Sequence, residues 1–190
     1  MSAIIDIRET EKADLSVIMD IHRRAFGGEG EVVANLTRDI LADPTARPVL
    51  SLLAERDGEP VGHILFSNVR FDGLDRHSEN LPLSLSILAP LGVLPEVQGQ
   101  GVGGDLIRCS LEVLAAAGVG LVFVLGHPGY YPRFGFSPAG KQGFDAPYPI
   151  PAENADAWMV EKLGDVRLPK GFHDRIICCE ALSKPEYWRE

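Results

Sequence analysis

Apolar positions recur along the chain with two different periods, and the switches between them mark out the elements. Ile4 to Arg8 alternates apolar and polar, the period of a short strand. In ADLSVIMDIHRRAF, Leu15, Ile18, Ile21, His22 and Ala25 fall on one helical stripe, with Asp14 near the start. FGGEGE interrupts that helix. EVVANLTRDILAD predicts a second helix with Val32, Val33, Leu36, Ile40 and Leu41 inward, ended by Pro44 and Pro48. In PVLSLLAERDGEPVGHILFSNVRF, two apolar runs flank Asp57-Gly58, which predicts a hairpin. FDGLDRHSENLP reads as a polar loop, and LPLSLSILAPLGVLP as a third, long strand of the same sheet. Pro90 removes a ladder donor from that strand, so it marks a bulge or an edge.

GGDLIRCSLEVLAAAG is amphipathic at the helical period, with Leu106, Ile107, Leu111, Val113 and Leu114 apolar and Gly118 as its stop. VGLVFVLG is continuously apolar, as a strand buried on both faces should be. HPGYYPRFGF predicts a turn or short helix rich in aromatics. From Ala139 onward the chain is Pro-rich and irregular, with strands predicted at AWMVEKL and DRIICCEAL. The resulting order, β-α-α-β-β-β-α-β-α-β, is that of a mixed sheet with helices on both faces. It is an α+β fold in three layers, expected as one domain over residues 1–190.

Composition narrows the function classes. No apolar run approaches the ~20 residues needed to span a bilayer. MSAIIDIRET lacks the basic-then-apolar layout of a secretory signal, so a cytoplasmic protein without a membrane partner is expected. A net charge of −9 with no Lys/Arg cluster argues against a nucleic-acid partner, and it fits either general solubility or mild steering of a cationic substrate such as an amine. Cys109, Cys178 and Cys179 form neither a disulfide framework nor a CxxC site. None of the histidines at 22, 63, 77, 127 and 173 pairs with Cys, Asp or Glu at ligand spacing on one helix face, so no metal is expected.

The chemistry concentrates in PEVQGQGVGGDLI, where a strand gives way to a glycine-rich turn and then a helix. The first amides of a helix have no intrahelical partner and sit at the positive end of its dipole. Glycines let such a backbone approach an anion closely. No Lys-Ser/Thr follows, unlike the nucleotide P-loop. Gly99, Gly101 and Gly104 fit GxGxxG, but a dinucleotide fold wants that motif after the first strand of a βαβ unit, whereas three strands precede it here. A nucleotide-dependent oxidoreductase is therefore a rival reading, as is a tight strand-to-helix connection and nothing more.

Gln98-x-x-Gly101-x-Gly103, preceded by LGVLPE, resembles motif A of the GNAT acetyltransferase superfamily. YYPRFGF resembles the Tyr-x-x-x-Gly-Phe of its motif B, and VFVLGHPGYYPRFGF looks like a subgroup of bacterial N-acetyltransferases. The resemblance covers residues 4–138, and the element order agrees with it. It implies a three-layer αβα fold whose mostly antiparallel sheet is splayed at the bulge to admit acetyl-CoA. The pantetheine arm would pair with backbone groups of Leu91, Gly92 and Val93. The pyrophosphate would sit on the amides of Gly99, Gln100, Gly101, Val102, Gly103 and Gly104, with Gln98 bracing the loop. Tyr131 matches the motif B tyrosine, which implies a general acid for the departing thiolate, against the plainer role of a packed aromatic.

The reaction so implied is acetyl transfer from acetyl-CoA to a primary amine of a small-molecule or peptide acceptor, by direct attack in a ternary complex. A CoA- or acyl-CoA-binding regulatory module without catalysis is the alternative. A homodimer is compatible with the family. The chain departs from the superfamily at HPGYYP, which is shorter than the usual segment; His127 there either shapes the turn or contacts the cofactor. Candidates for a general base are Glu29 and Glu31, or Ser84 and Ser86 ordering a water. His63 alternates with Val61 and Leu65 and reads as a core histidine. The segment DAPYPIPAENADAW is expected to line one side of the acceptor cleft.

Overall fold

The computed structural model describes residues 5–73 and 83–188. Ile4 and most of the loop FDGLDRHSENLP, with His77, fall outside the described residues. The chain opens with strand β1 (Ile5–Glu9), followed by helices α1 (Leu15–Ala25) and α2 (Gly30–Ala42). Strands β2 (Leu50–Arg56), β3 (Glu59–Phe71) and β4 (Ser84–Val93) come next, then helix α3 (Val102–Ala116) and strand β5 (Val119–Leu125). The last part carries the short strands β6 (Ser137–Pro138) and β7 (Phe144–Asp145), then β8 (Trp158–Lys162) and β9 (Asp174–Ile177). Strands β1 to β5, β8 and β6 lie in that order in the sheet, and β9 pairs with both β3 and β7.

The turn between β2 and β3 is the one the Asp-Gly dipeptide predicts. Asp57 has φ 51° and Gly58 φ 83°, the pair of positive values that a type I′ hairpin turn needs. Pairing along the sheet is antiparallel except between β4 and β5, which run parallel, and between β7 and β9. Side chains alternate across the sheet, so each strand feeds two cores. Ile64, Phe66, Leu88, Val122 and Val124 pack with Leu106 and Ile107 of α3. Leu65, Ile87 and Phe123 pack with Leu36 and Ile40 of α2 and with Phe144 and Trp158 from the later strands. Full burial of each such side chain stabilises the fold by roughly 1.5–3 kcal/mol, which is why the alternation fixes the register.

Two expectations are corrected. Val32 is not inward but 56% exposed, because the buried stripe of α2 runs through Gly30, Ala34, Leu36, Thr37 and Ile40. The α expected after β5 is not an α-helix: HPGYYPRFGF, read as a turn or short helix, makes a single 3-10 turn over Tyr131–Phe134, ended by Gly135 at φ 96°. The bulge at Pro90 is present: Ile64 pairs with Leu91 and Phe66 with Leu88, so Ala89 and Pro90 together oppose Leu65.

Candidate active site

The bulge decides where the sheet opens. Strands β4 and β5 pair from Ser84 and Val119 as far as Leu88 and Val124. Beyond that point β5 ends, while β4 continues to Val93 paired only with β3. The far half of β4 therefore has one open edge. Its backbone groups can be assigned to that edge or to the ladder. The Leu94 amide donates to the Val61 carbonyl at 2.9 Å, so Leu94 faces β3. Successive residues on a strand point their amides and carbonyls to opposite edges. Gly92, opposite His63, therefore also faces β3, while Leu91 and Val93 aim into the gap.

Gly92 thus has a different role from Leu91 and Val93. Its amide and carbonyl belong to the ladder, and its missing side chain makes room for α1. A Cβ there would lie 2.6 Å from Nδ1 of His22. Behind Gly92 runs a buried polar chain: His22 Nε2 to His63 Nδ1 at 2.8 Å, then His63 Nε2 to Ser51 Oγ at 2.9 Å. Both rings are fully buried, and burial drives both below the usual histidine range, His22 to about 4. His63 is thereby a neutral core group bonded at both nitrogens, with no nitrogen left to act as a base.

The glycine turn lies at the open end of the gap. Gly99 and Gly101 have φ 74° and 94°, conformations that a side chain would strain. Gly101 is the N-cap of α3, and no side chain caps it. The Asp105 amide is the first to bond back into the helix, to the Gly101 carbonyl at 3.0 Å, which leaves Val102, Gly103 and Gly104 as the start of the helix without intrahelical partners. Gln98 donates from Nε2 to the Val93 carbonyl at 2.9 Å and ties the turn to the end of β4. Gln100 points elsewhere: its side chain accepts from Arg56 at 2.8 Å and donates to the Glu96 carbonyl at 3.2 Å.

Gly103 and Gly104 answer to the aromatic turn above them. A Cβ on Gly103 would lie 2.8 Å from the Tyr130 hydroxyl, and one on Gly104 would press on Arg108 and the Phe134 ring. Tyr130 therefore sits over the start of α3, where burial raises its hydroxyl above the ordinary range. Tyr131 sits at the tip of β5 instead. A Cβ on Gly126 would lie 2.5 Å from its ring, and the ring packs edge-on against Phe136. The guanidinium of Arg133 stacks on Tyr130, and that of Arg108 on Phe134. His127 accepts the Gly129 amide on Nδ1 at 3.0 Å, which shapes the turn.

These parts enclose one cleft of about 1120 Å³ that runs through the sheet where β4 and β5 part. On the α3 face its walls are Gln98, Gly99, Gly101 to Gly104, Arg108, Tyr130 and Arg133. In the gap they are Ala89 to Leu91, Val93, Leu125, His127 and Tyr131. On the α2 face they are Phe26, Glu29, Val32, Val33, Leu36 and the C-terminal Leu182, Glu186, Tyr187 and Trp188. Gly92 and Gln100 do not line it.

Sequence reasoning missed Arg108 and Arg133, whose signal was their spacing beside the glycines and the aromatics. It also missed the C-terminal wall, for which KPEYW offered only its aromatic pair. The segment 145–158 does not line this cleft; Glu153, Asn154, Asp156 and Ala157 border a separate, smaller hollow with Gly126 and His127. Of the base candidates, Glu29 faces the cleft. Glu31 is ion-paired with Arg23 at 2.6 Å on the surface, and the buried Ser86 donates to the Ser67 carbonyl. Among the described residues no three His, Cys, Asp or Glu side chains converge to hold a metal ion, and no helix is long and apolar enough to cross a membrane.

Residues 15–136 match the family model described as acetyltransferase (GNAT) family. The chain belongs to the GNAT acetyltransferase family. Among its GNAT relatives, the chain is 51% identical to the uncharacterized N-acetyltransferase YjhQ of Escherichia coli K12 over 155 residues, which cover 81% of this chain and 82% of that protein. The GNAT N-acetyltransferase YhbS of E. coli, solved in complex with CoA, superposes with a TM-score of 0.81 at 27% identity, covering 97% of this chain and 94% of that one. A GNAT acetyltransferase of Brucella melitensis in complex with acetyl-CoA superposes with a TM-score of 0.71 at 28% identity over 95% and 99% of the two chains.

Proposed function

We propose that this GNAT protein transfers the acetyl group of acetyl-CoA to a primary amine by direct attack in a ternary complex. One observation carries the reading: the open edge of β4 at Leu91 and Val93 leads straight to the unpartnered first amides of α3. The edge accepts the amide-bearing pantetheine arm as a neighbouring strand would be accepted. The helix start, with the positive-φ glycines before it and Arg108 and Arg133 beside it, suits the diphosphate. The CoA and acetyl-CoA complexes of the two structural relatives support the same ligand.

The thioester then lies in the gap near the tip of β5, between the two faces of the sheet. An acceptor ammonium first loses one proton to the solvent or a base. The neutral nitrogen attacks the acetyl carbonyl carbon, a C–N bond forms, and the C–S bond breaks as the tetrahedral intermediate collapses. The nitrogen releases its second proton to solvent, the departing thiolate takes one from the Tyr131 hydroxyl, and the phenolate so formed is reprotonated from solvent. Tyr131 suits this role better than Tyr130, because it packs against Gly126 at the gap while Tyr130 lies over Gly103.

Thiol release and CoA calorimetry on Tyr131→Phe test the assignment. The expected result is a fall in kcat of roughly 10²–10⁴-fold with CoA affinity unchanged. Unchanged turnover removes Tyr131 from the chemistry. CoA binding without thiol release from any amine, in the unaltered protein, favours the binding-module reading.

A further inference from the structure

The cleft has two mouths of opposite charge, and the second one describes the acceptor. On the α3 face the charged walls are the cations Arg108 and Arg133. On the α2 face they are the carboxylates Glu29 and Glu186, and among the described residues no Lys or Arg lines that mouth. The other titratable walls are the three tyrosines and His127, which holds the Gly129 amide on Nδ1. The rest of that mouth is apolar, with Phe26, Val32, Val33 and Leu36 from the helical segment and Tyr187 and Trp188 from the C-terminal one. Phe26 is 37% and Val32 56% exposed. A folded chain leaves large apolar side chains open at the rim of a cleft where a ligand's apolar surface covers them.

Resting on the acetyl-transfer reading, we infer that the acceptor is a small primary amine carried on an apolar body without a carboxylate or phosphate, of the arylalkylamine class. Its ammonium is drawn in by Glu29 and Glu186, and its body lies on Phe26, Val32 and Tyr187. An α-amino acid or a phosphorylated amine brings an anion to a mouth whose charged walls, among the described residues, are carboxylates with no cation to receive it. An amino sugar or a peptide presents hydroxyls or amides to apolar walls, where they lose their water without a partner. The face of the cleft thus selects against these classes as well as for its own.

The test compares four amines with acetyl-CoA by thiol release: phenethylamine, phenylalanine, glucosamine and an amide-capped peptide with N-terminal Phe. Binding of each to the protein–CoA complex is measured by calorimetry. Phenethylamine is expected to exceed the others at least about tenfold in kcat/KM and to bind the CoA complex. Glu29→Gln and Glu186→Gln each raise its KM by about tenfold, as loss of a charge-assisted contact does, with CoA affinity unmoved. Equal or better use of phenylalanine, glucosamine or the peptide overturns the inference, as does failure of phenethylamine to bind the CoA complex. The two readings fail differently. Phenethylamine bound to the CoA complex without any thiol release leaves the acceptor class standing and removes the catalysis. Absence of CoA binding removes both.

Discussion

His22 and His63 show how much one side chain can commit a fold to. Only one arrangement of their protons leaves no buried N–H without a partner. His22 donates from Nε2 to His63 Nδ1, His63 donates from Nε2 to Ser51 Oγ, and His22 Nδ1 is the bare lone pair pressed toward Gly92. That arrangement requires both rings to be neutral. The folded pKa of His22, about 4, lies below the unfolded value near 6.5. Between those limits the unfolded chain binds more protons than the folded one, so stability rises with pH across the window and falls as pH drops from about 6.5 toward 4. At 1.36 kcal/mol for each pH unit, His22 alone accounts for roughly 3 kcal/mol by the foot of that window. Urea midpoints at pH 7, 5.5 and 4.5 check this. The expected result is a steep acid loss, shallower in His22→Gln; a midpoint flat from pH 7 to 4.5 contradicts the neutral pair.

At the scale of elements, the site is made by closeness rather than by special side chains. Helix α1 comes down on β4 at Gly92, where a Cβ would meet both Nδ1 and Cε1 of His22 within 3 Å. Neither partner can give way easily, because the ring is held by His63 and the strand by its ladder. Gly92→Ala must push β4 and α1 apart, and overpacking of this kind costs about 1–3 kcal/mol. The displaced stretch carries Leu91 and Val93, so the same variant is expected to weaken CoA binding. Denaturant unfolding and calorimetry on one preparation read both effects. Full stability with full CoA affinity contradicts the claim that α1 sets the position of the open edge. The glycine turn follows the same logic in two halves: Gly99 and Gly101 are fixed by positive φ, Gly103 and Gly104 by the aromatic turn resting on them.

Across the whole molecule, what could be read from sequence is what local pattern encodes. Alternation and helical stripes placed the main strands and helices, Asp57-Gly58 placed its hairpin, and Pro90 marked the bulge that splays β4 from β5. The glycine turn and the Tyr-x-x-x-Gly-Phe motif pointed to the family. What stayed hidden depends on contacts across the chain. No spacing tells that His22 and His63, 41 residues apart, meet behind Gly92. None tells that Glu186, Tyr187 and Trp188 return to face α2, or that Val32 turns outward onto the cleft. The turn or short helix read in HPGYYPRFGF is a single 3-10 turn, because Pro132 and Gly135 limit that segment. The cofactor half of the cleft was legible because backbone conformation makes it, and glycine and proline write that conformation into sequence. The acceptor half was not, because side chains from distant segments make it.

Amide hydrogen exchange with and without saturating CoA tests the account at its centre. The expected result is slowed exchange at the Leu91 and Val93 amides and through Gly99 to Gly104, with Gly92 little changed because its amide already lies in the β3 ladder. CoA that binds while leaving those amides as fast as before, or that protects a different edge of the sheet, contradicts the claim that this backbone holds the cofactor.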